Sequence, residues 1–221
     1  MKRRKEMKLF FVRHGETDWN LARRVQGHSD IPLNEYGRYL ARETAKGLKD
    51  VPFDLAYTSP LIRARETAEL ILEGRNIPIM DDENIKELGF GIYEGMCISG
   101  EHKAPQTDEF NKFFTDTEHY IPAPGAESVQ ELLERTGKFL QELYRDRGIQ
   151  DKTILISSHG AAITGLLNNI KGRLDVAQFW KEGVPANCAV TIVEVEDGVP
   201  EIIAENKIYY KEPVRAWSVG E

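Results

Sequence analysis

Leu9-Phe10-Phe11-Val12-Arg13-His14-Gly15-Glu16-Thr17 is the stretch on which the reading of this chain turns. Four consecutive apolar β-formers read as a buried strand. The glycine at its carboxyl end is expected to let the backbone turn sharply toward an anion. The residues delivered to that turn are a permanently charged guanidinium and an imidazole, a pair suited to gripping a phosphate and attacking it.

The same arrangement recurs twice. Leu55-Ala56-Tyr57-Thr58-Ser59-Pro60 reads as a short strand ending at Ser59. Pro60 lies near the start of a helix, where a missing N–H costs nothing, and Arg63 falls in the first turn of that helix. Thr153-Ile154-Leu155-Ile156-Ser157-Ser158-His159-Gly160 reads as a strand buried on both faces, and it delivers His159 to another strand-to-helix turn. Ligands of open α/β sheets bind beyond the carboxyl ends of the strands. Arg13, His14, Arg63 and His159 are therefore expected to meet in one pocket.

Outward from these turns the pattern alternates. Strands are expected at 8–12, 54–58, near Ile77-Pro78-Ile79 and at 152–157. Helices are expected at about 34–49, 61–73, 106–117, 127–147 and 160–170. Residues 188–195 and 201–207 flank Asp197-Gly198, a hairpin turn signal. The fold class is α/β: a three-layer α/β/α sandwich with a mostly parallel central sheet, an antiparallel edge hairpin and a small helical cap insertion at about 96–125. With no repeat or long linker, residues 1–221 read as one domain, and the stretch from Tyr209 to Glu221 reads as a surface wrap.

A chain of 221 residues can bury a sizeable core without metals or disulfides. A net charge of −7 argues against a nucleic-acid partner. Lys2-Arg3-Arg4-Lys5 reads as a solvated end, because the apolar run before Arg13 is too short for a signal peptide. No stretch approaches transmembrane length. Cys97 and Cys188 have neither disulfide-framework nor zinc-site spacing. A soluble, cytoplasmic protein with no membrane partner is expected, and its oligomeric state, monomer or homodimer, stays open.

The chain resembles the histidine phosphatase superfamily, which includes cofactor-independent phosphatases and phosphoglycerate mutases. The resemblance rests on Phe11 through Asn20, on Gln26-Gly27 with Pro32-Leu33 and Gly37, and on Thr58 through Ala68. Glu87-Leu88-Gly89-Phe90-Gly91-Ile92-Tyr93-Glu94-Gly95 and Ser158-His159-Gly160 complete it. It spans about 8–170 in the family's order, with Tyr93 where a Trp is usual.

His14 is the candidate nucleophile, and the resemblance implies a phosphohistidine intermediate. An attacking imidazole needs one bare nitrogen, so its other N–H should rest on a backbone carbonyl. Arg13 and Arg63 are the candidate clamps, since guanidinium forks match phosphate oxygens. Arg65 points to another side of its helix and is expected in a surface ion pair. His159 is expected to donate to the transferring group, and the Gly160 N–H opens a helix suited to an anion. Asn20, Gln26 and Gly27 are candidate substrate-binding residues, with a plain turn role the alternative for Asn20.

By resemblance Glu87 is the proton donor. As such it must carry a proton near neutrality, which a bound phosphate dianion favours. Glu94 reads as a loop-capping carboxylate, and His28, His102 and His119 read as surface residues. The paired carboxylates of a two-metal phosphatase are missing, so neither metal nor cofactor is expected.

The segment Met96–Gly125 separates hydrolase from mutase. A mutase must grip a second anionic group, yet this segment carries only Lys103 and Lys112 against Glu101, Asp108, Glu109, Asp116 and Glu118. Phe110, Phe113 and Phe114 form a helical stripe that either packs the cap or lines an apolar wall for a bulky ester. The reading is a metal-independent phosphomonoesterase acting on a small phosphorylated metabolite. A mutase is the alternative, followed by a non-catalytic phospho-ligand-binding module.

Overall fold

In the computed structural model, which describes residues 6–211, the opening strand β1 runs Glu6–Arg13. Its side chains alternate between two buried faces, Leu9 and Phe11 on one and Phe10 and Val12 on the other. A strand apolar on both faces must lie inside a sheet covered twice, and the remaining elements supply the cover. They are α1 (Asp18–Leu21), α2 (Glu35–Gly47), β2 (Leu55–Thr58), α3 (Ile62–Ile71), β3 (Ile79–Asp81) and α4 (Thr107–Thr115). There follow α5 (Val129–Arg145), β4 (Thr153–Ser158), α6 (Gly160–Ile170), β5 (Val190–Glu196) and β6 (Val199–Lys207).

The sheet has six strands in the order β3-β2-β4-β1-β5-β6. β3, β2, β4 and β1 are parallel, and β5 and β6 add antiparallel pairings. Phe139 and Leu143 of α5 and Ile163 and Leu166 of α6 pack on the Leu9–Phe11 face. Ala68 and Ile71 of α3, with Leu48 capping α2, cover the Phe10–Val12 face. The three layers and the edge hairpin are as expected, and β2, β4 and β1, whose ends carry Arg63, His159 and His14, are neighbours.

The local signals hold with small shifts. Ser128 and Glu131 close a reciprocal capping box that starts α5 two residues inside the expected bound. Asp197 (φ 50°) and Gly198 (φ 84°) make the left-handed two-residue turn of the hairpin. β3 begins at Ile79 and not Ile77, because Pro78 has no N–H for the ladder and offers only its carbonyl, to Ala56 N at 2.8 Å.

Gly15 corrects the expectation of a sharp turn, since it lacks left-handed backbone. It is needed for close approach: a Cβ there would lie 2.5 Å from the Gly37 carbonyl oxygen, so α2 packs directly on the turn. Cys97 and Cys188 are both free. Among the described residues no helix is long and apolar enough to cross a membrane. Lys2–Lys5 and the tail beyond residue 211 lie outside the described residues.

Candidate active site

At the carboxyl end of β1 the His14 N–H donates to the Ser158 carbonyl of β4 (2.9 Å), which fixes the His14 backbone to the neighbouring strand. The ring is buried, and its Nδ1 lies 2.7 Å from the Gly15 carbonyl. A carbonyl only accepts, so Nδ1 carries the hydrogen and Nε2 is bare. Burial, reinforced by Arg63 and Arg13, holds this imidazole well below the ordinary histidine range.

The positive groups surround that ring. Arg13 Nη1 donates to the Pro185 carbonyl (2.6 Å), while its Nε is buried without a partner. Arg63, fully buried, donates through Nη1 and Nη2 to the carbonyls of Ser29 (2.8 Å) and Gly27 (2.7 Å), and its Nε is likewise unpartnered. Burial lowers the Arg63 guanidinium to about 10, which leaves it charged at neutral pH.

The His159 ring centroid is 5.1 Å from that of His14. Its Nε2 is 2.7 Å from Ser59 Oγ, and its Nδ1 is buried with no partner. Burial, then Arg63 and His14, keep this ring well below the ordinary range too. A hydroxyl can donate or accept, and in the tautomer where Ser59 donates to Nε2 the one ring hydrogen falls on Nδ1, the free position.

Glu87 reaches the same space from the loop after β3. Its Oε1 accepts the N–H groups of Leu88 (2.9 Å) and Ala162 (3.1 Å), and its Oε2 that of Ala161 (3.3 Å). The Glu87 carboxyl group thus takes up the Ala161 and Ala162 N–H groups at the start of α6, while Gly160, whose N–H was expected to suit an anion, lines the cleft. A Cβ on Gly160 would lie 3.7 Å from Arg13 Nε and 3.8 Å from Glu87 Oε2, so the guanidinium and the carboxyl group flank one glycine.

Residues 9–208 match the histidine phosphatase superfamily (branch 1). The chain belongs to that superfamily. It is 40% identical to a Bacillus subtilis protein named uncharacterized phosphatase PhoE, over 73% of this chain and 76% of that protein. A probable phosphoglycerate mutase, GpmB of Serratia proteamaculans, is 34% identical over 75% of each chain. The solved structure of Bacillus stearothermophilus YhfR superposes with a TM-score of 0.82 at 33% identity, covering 91% of this chain and 98% of that one. The family and its phosphatase relatives make this chain a phosphoric monoester hydrolase.

In this histidine phosphatase the remaining expected residues have mixed fates. Asn20 Oδ1 accepts the Thr17 N–H (3.1 Å) in a capping box that opens α1, so its turn role is present. Gln26 Oε1 accepts from Thr17 Oγ1 (3.0 Å), and both amides line the cleft beside His14. Gly27, with left-handed backbone (φ 56°), serves the site through the carbonyl that holds Arg63.

Glu94 accepts from the N–H groups of His28 (2.8 Å) and Phe90 (3.2 Å) and from Ser29 Oγ (2.7 Å), tying the Arg63-holding loop in place. Arg65 pairs with Glu69 (3.1 Å) and Asp81 (2.5 Å) away from the cleft. His28 is exposed, but its ring also bonds the Glu87 carbonyl (2.8 Å). No group of three or more His, Cys, Asp or Glu among the described residues is placed to hold a metal ion.

Sequence reasoning gave no role to Ser59 or to the loop before β5. There Asn187 Nδ2 donates to the His14 carbonyl (2.9 Å), and Tyr210 Oη donates to the Asn187 carbonyl (2.9 Å). The turn-prone run Pro185-Ala186-Asn187 was the only local sign of that loop. The phenylalanine stripe divides. Phe110 and Phe113 are buried with Phe90 and Tyr120, Phe114 is half-buried beside Trp180 with ring centroids 5.3 Å apart, and all three phenylalanines line the cleft. Trp180 Nε1 donates to the Phe113 carbonyl (2.7 Å), so a second segment, unforeseen, packs on α4.

Proposed function

We propose that this histidine phosphatase hydrolyses a small phosphorylated metabolite through a phosphohistidine on His14, without a metal ion. The reading is carried by buried nitrogens left without a protein partner: Arg13 Nε, Arg63 Nε and His159 Nδ1. A buried polar group lacking its hydrogen bond costs about 1–3 kcal/mol. Such groups persist where a ligand supplies the missing partner, and three donors around one imidazole suit the three equatorial oxygens of a transferring phosphoryl group.

In the first step His14 Nε2 bonds to phosphorus as the ester P–O bond breaks, and protonated Glu87 gives its proton to the departing oxygen. In the second, the Glu87 carboxylate takes a proton from water, whose oxygen bonds to phosphorus and displaces His14, releasing inorganic phosphate. Arg13, Arg63 and His159 hold the oxygens throughout.

Hydrolysis is favoured over mutase transfer by the charges of the cap. Neither cap lysine lines the cleft: Lys103 pairs with Asp108 (2.7 Å) and Lys112 with Glu109 (2.8 Å) on the exposed surface. Phe114 and Trp180 favour an ester with an apolar body.

Rapid quenching of a reaction with a labelled phosphomonoester should trap acid-labile, base-stable phosphate on His14, absent in His14→Ala, with turnover unaffected by EDTA. Label on His159, or activity lost in EDTA and restored by Mg²⁺ or Zn²⁺, would overturn the reading.

A further inference from the structure

Glu87 lies on a stretch, 86–89, that belongs to no helix or strand, yet a proton donor must be held to a fraction of an ångström. His28 bonds the Glu87 carbonyl from one side (2.8 Å), and the rest of the restraint comes from α5. Arg135 Nη1 donates to the carbonyls of Asn84 (2.9 Å) and Lys86 (2.7 Å), and Nη2 to the carbonyl of Glu87 itself (3.0 Å). Its Nε and Nη2 also grip the Glu127 carboxylate at 2.5 and 2.8 Å. All five guanidinium hydrogens are thereby used. Glu127 extends the grip, its N–H donating to the Gly89 carbonyl (2.8 Å).

We propose that Arg135, locked by Glu127, is the positioning residue for the proton donor: it fixes the backbone from which the Glu87 carboxylate reaches the start of α6. The inference rests on the reading of Glu87 as general acid. Its bonds fall on the carbonyls around Glu87 and on none of the groups that hold the phosphate. Lysine cannot replace it, because an ammonium lacks the planar fork that reaches three carbonyls and a carboxylate at once. Arg135 therefore acts on proton donation, while phosphate binding stays with Arg13, Arg63 and His159.

The test compares kcat/KM on an alkyl phosphate, whose leaving oxygen needs a proton, with that on p-nitrophenyl phosphate, whose leaving group does not. Arg135→Lys and Arg135→Gln should each lose about 10–100-fold on the alkyl ester, within the scale of general acid catalysis, and change little on the aryl ester. Inhibition by inorganic vanadate should stay at the wild-type level. In a Glu87→Gln background Arg135→Gln should add nothing further, since the two act as one unit.

Glu127→Gln keeps the guanidinium charge and should show the same selectivity more weakly, which covers the case of an Arg135 variant that fails to fold. Equal losses on both esters, or a full additional loss on top of Glu87→Gln, would make Arg135 a general structural residue and overturn the proposal. A Glu87→Gln enzyme with no preference between the esters would instead bring down the reading of Glu87, and this proposal with it.

Discussion

His14 can act as a nucleophile only while one ring nitrogen is bare, and its surroundings enforce that state. The Gly15 carbonyl claims Nδ1, and burial among Arg13 and Arg63 disfavours the imidazolium. Division of labour around it predicts different leaving-group dependences. Glu87→Gln should lose about 10²–10⁴-fold on an alkyl phosphate and far less on p-nitrophenyl phosphate. Arg63→Ala should weaken both alike, because in the proposed mechanism its guanidinium holds the phosphoryl group, and it also braces the Gly27 and Ser29 carbonyls. Steady-state kcat/KM on the two esters decides the matter, and an Arg63→Ala enzyme impaired on only one of them would contradict the assignment.

Elements meet at the site through contacts that tolerate little change. α2 approaches the β1 turn so closely that a Cβ on Gly37 would lie 2.1 Å from the Glu16 carbonyl oxygen and 2.6 Å from its nitrogen. Both atoms are backbone and cannot swing aside, so Gly37→Ala should lower stability by at least the usual 1–3 kcal/mol (roughly) of an overpacked site. A urea midpoint unchanged from wild type would refute the contact. On α4, both rings line the cleft, but Phe113 is fully buried and Phe114 only half-buried. Phe113→Ala should cost about 3–5 kcal/mol, the range for a buried phenylalanine. Phe114→Ala should leave the midpoint nearly unmoved while raising KM for aryl phosphates. The reverse pattern would mean that the two rings have exchanged roles.

Across the whole molecule, burying two uncharged histidines ties stability to pH. The folded values of His14 and His159 lie well below the ordinary 6.5. As pH falls through 6.5 the unfolded chain takes up these protons and the folded chain does not. Their contribution is therefore fully present above 6.5 and is lost on acidification below it, by up to about 1.4 kcal/mol per pH unit for each ring. His119, raised by Asp116, works in the opposite sense but lies on the surface. Urea unfolding between pH 7.5 and 5.5 in phosphate-free buffer should show the decline, and His14→Asn should make it shallower. A flat profile, or an unchanged slope in the variant, would show that the rings are not held neutral.

What could be read in the one-dimensional chain was whatever its neighbours in sequence encode. Apolar runs ending in Arg13-His14, Ser59-Pro60 and His159-Gly160 declared the strands, their order along the chain and the charged residues at their ends. The Asp197-Gly198 turn and the Ser128–Glu131 cap were legible for the same reason, since their partners lie within a few residues. Only the folded chain decided what grips those residues. Arg13 bonds a carbonyl 172 residues away at Pro185, His14 is held by Asn187, and Arg135 reaches back 48 residues to Glu87. Most of these partners are main-chain carbonyls, which every residue carries, so no side-chain pattern marks them. Their positions follow from the sheet order that sets β2, β4 and β1 side by side and from the helices packed across it.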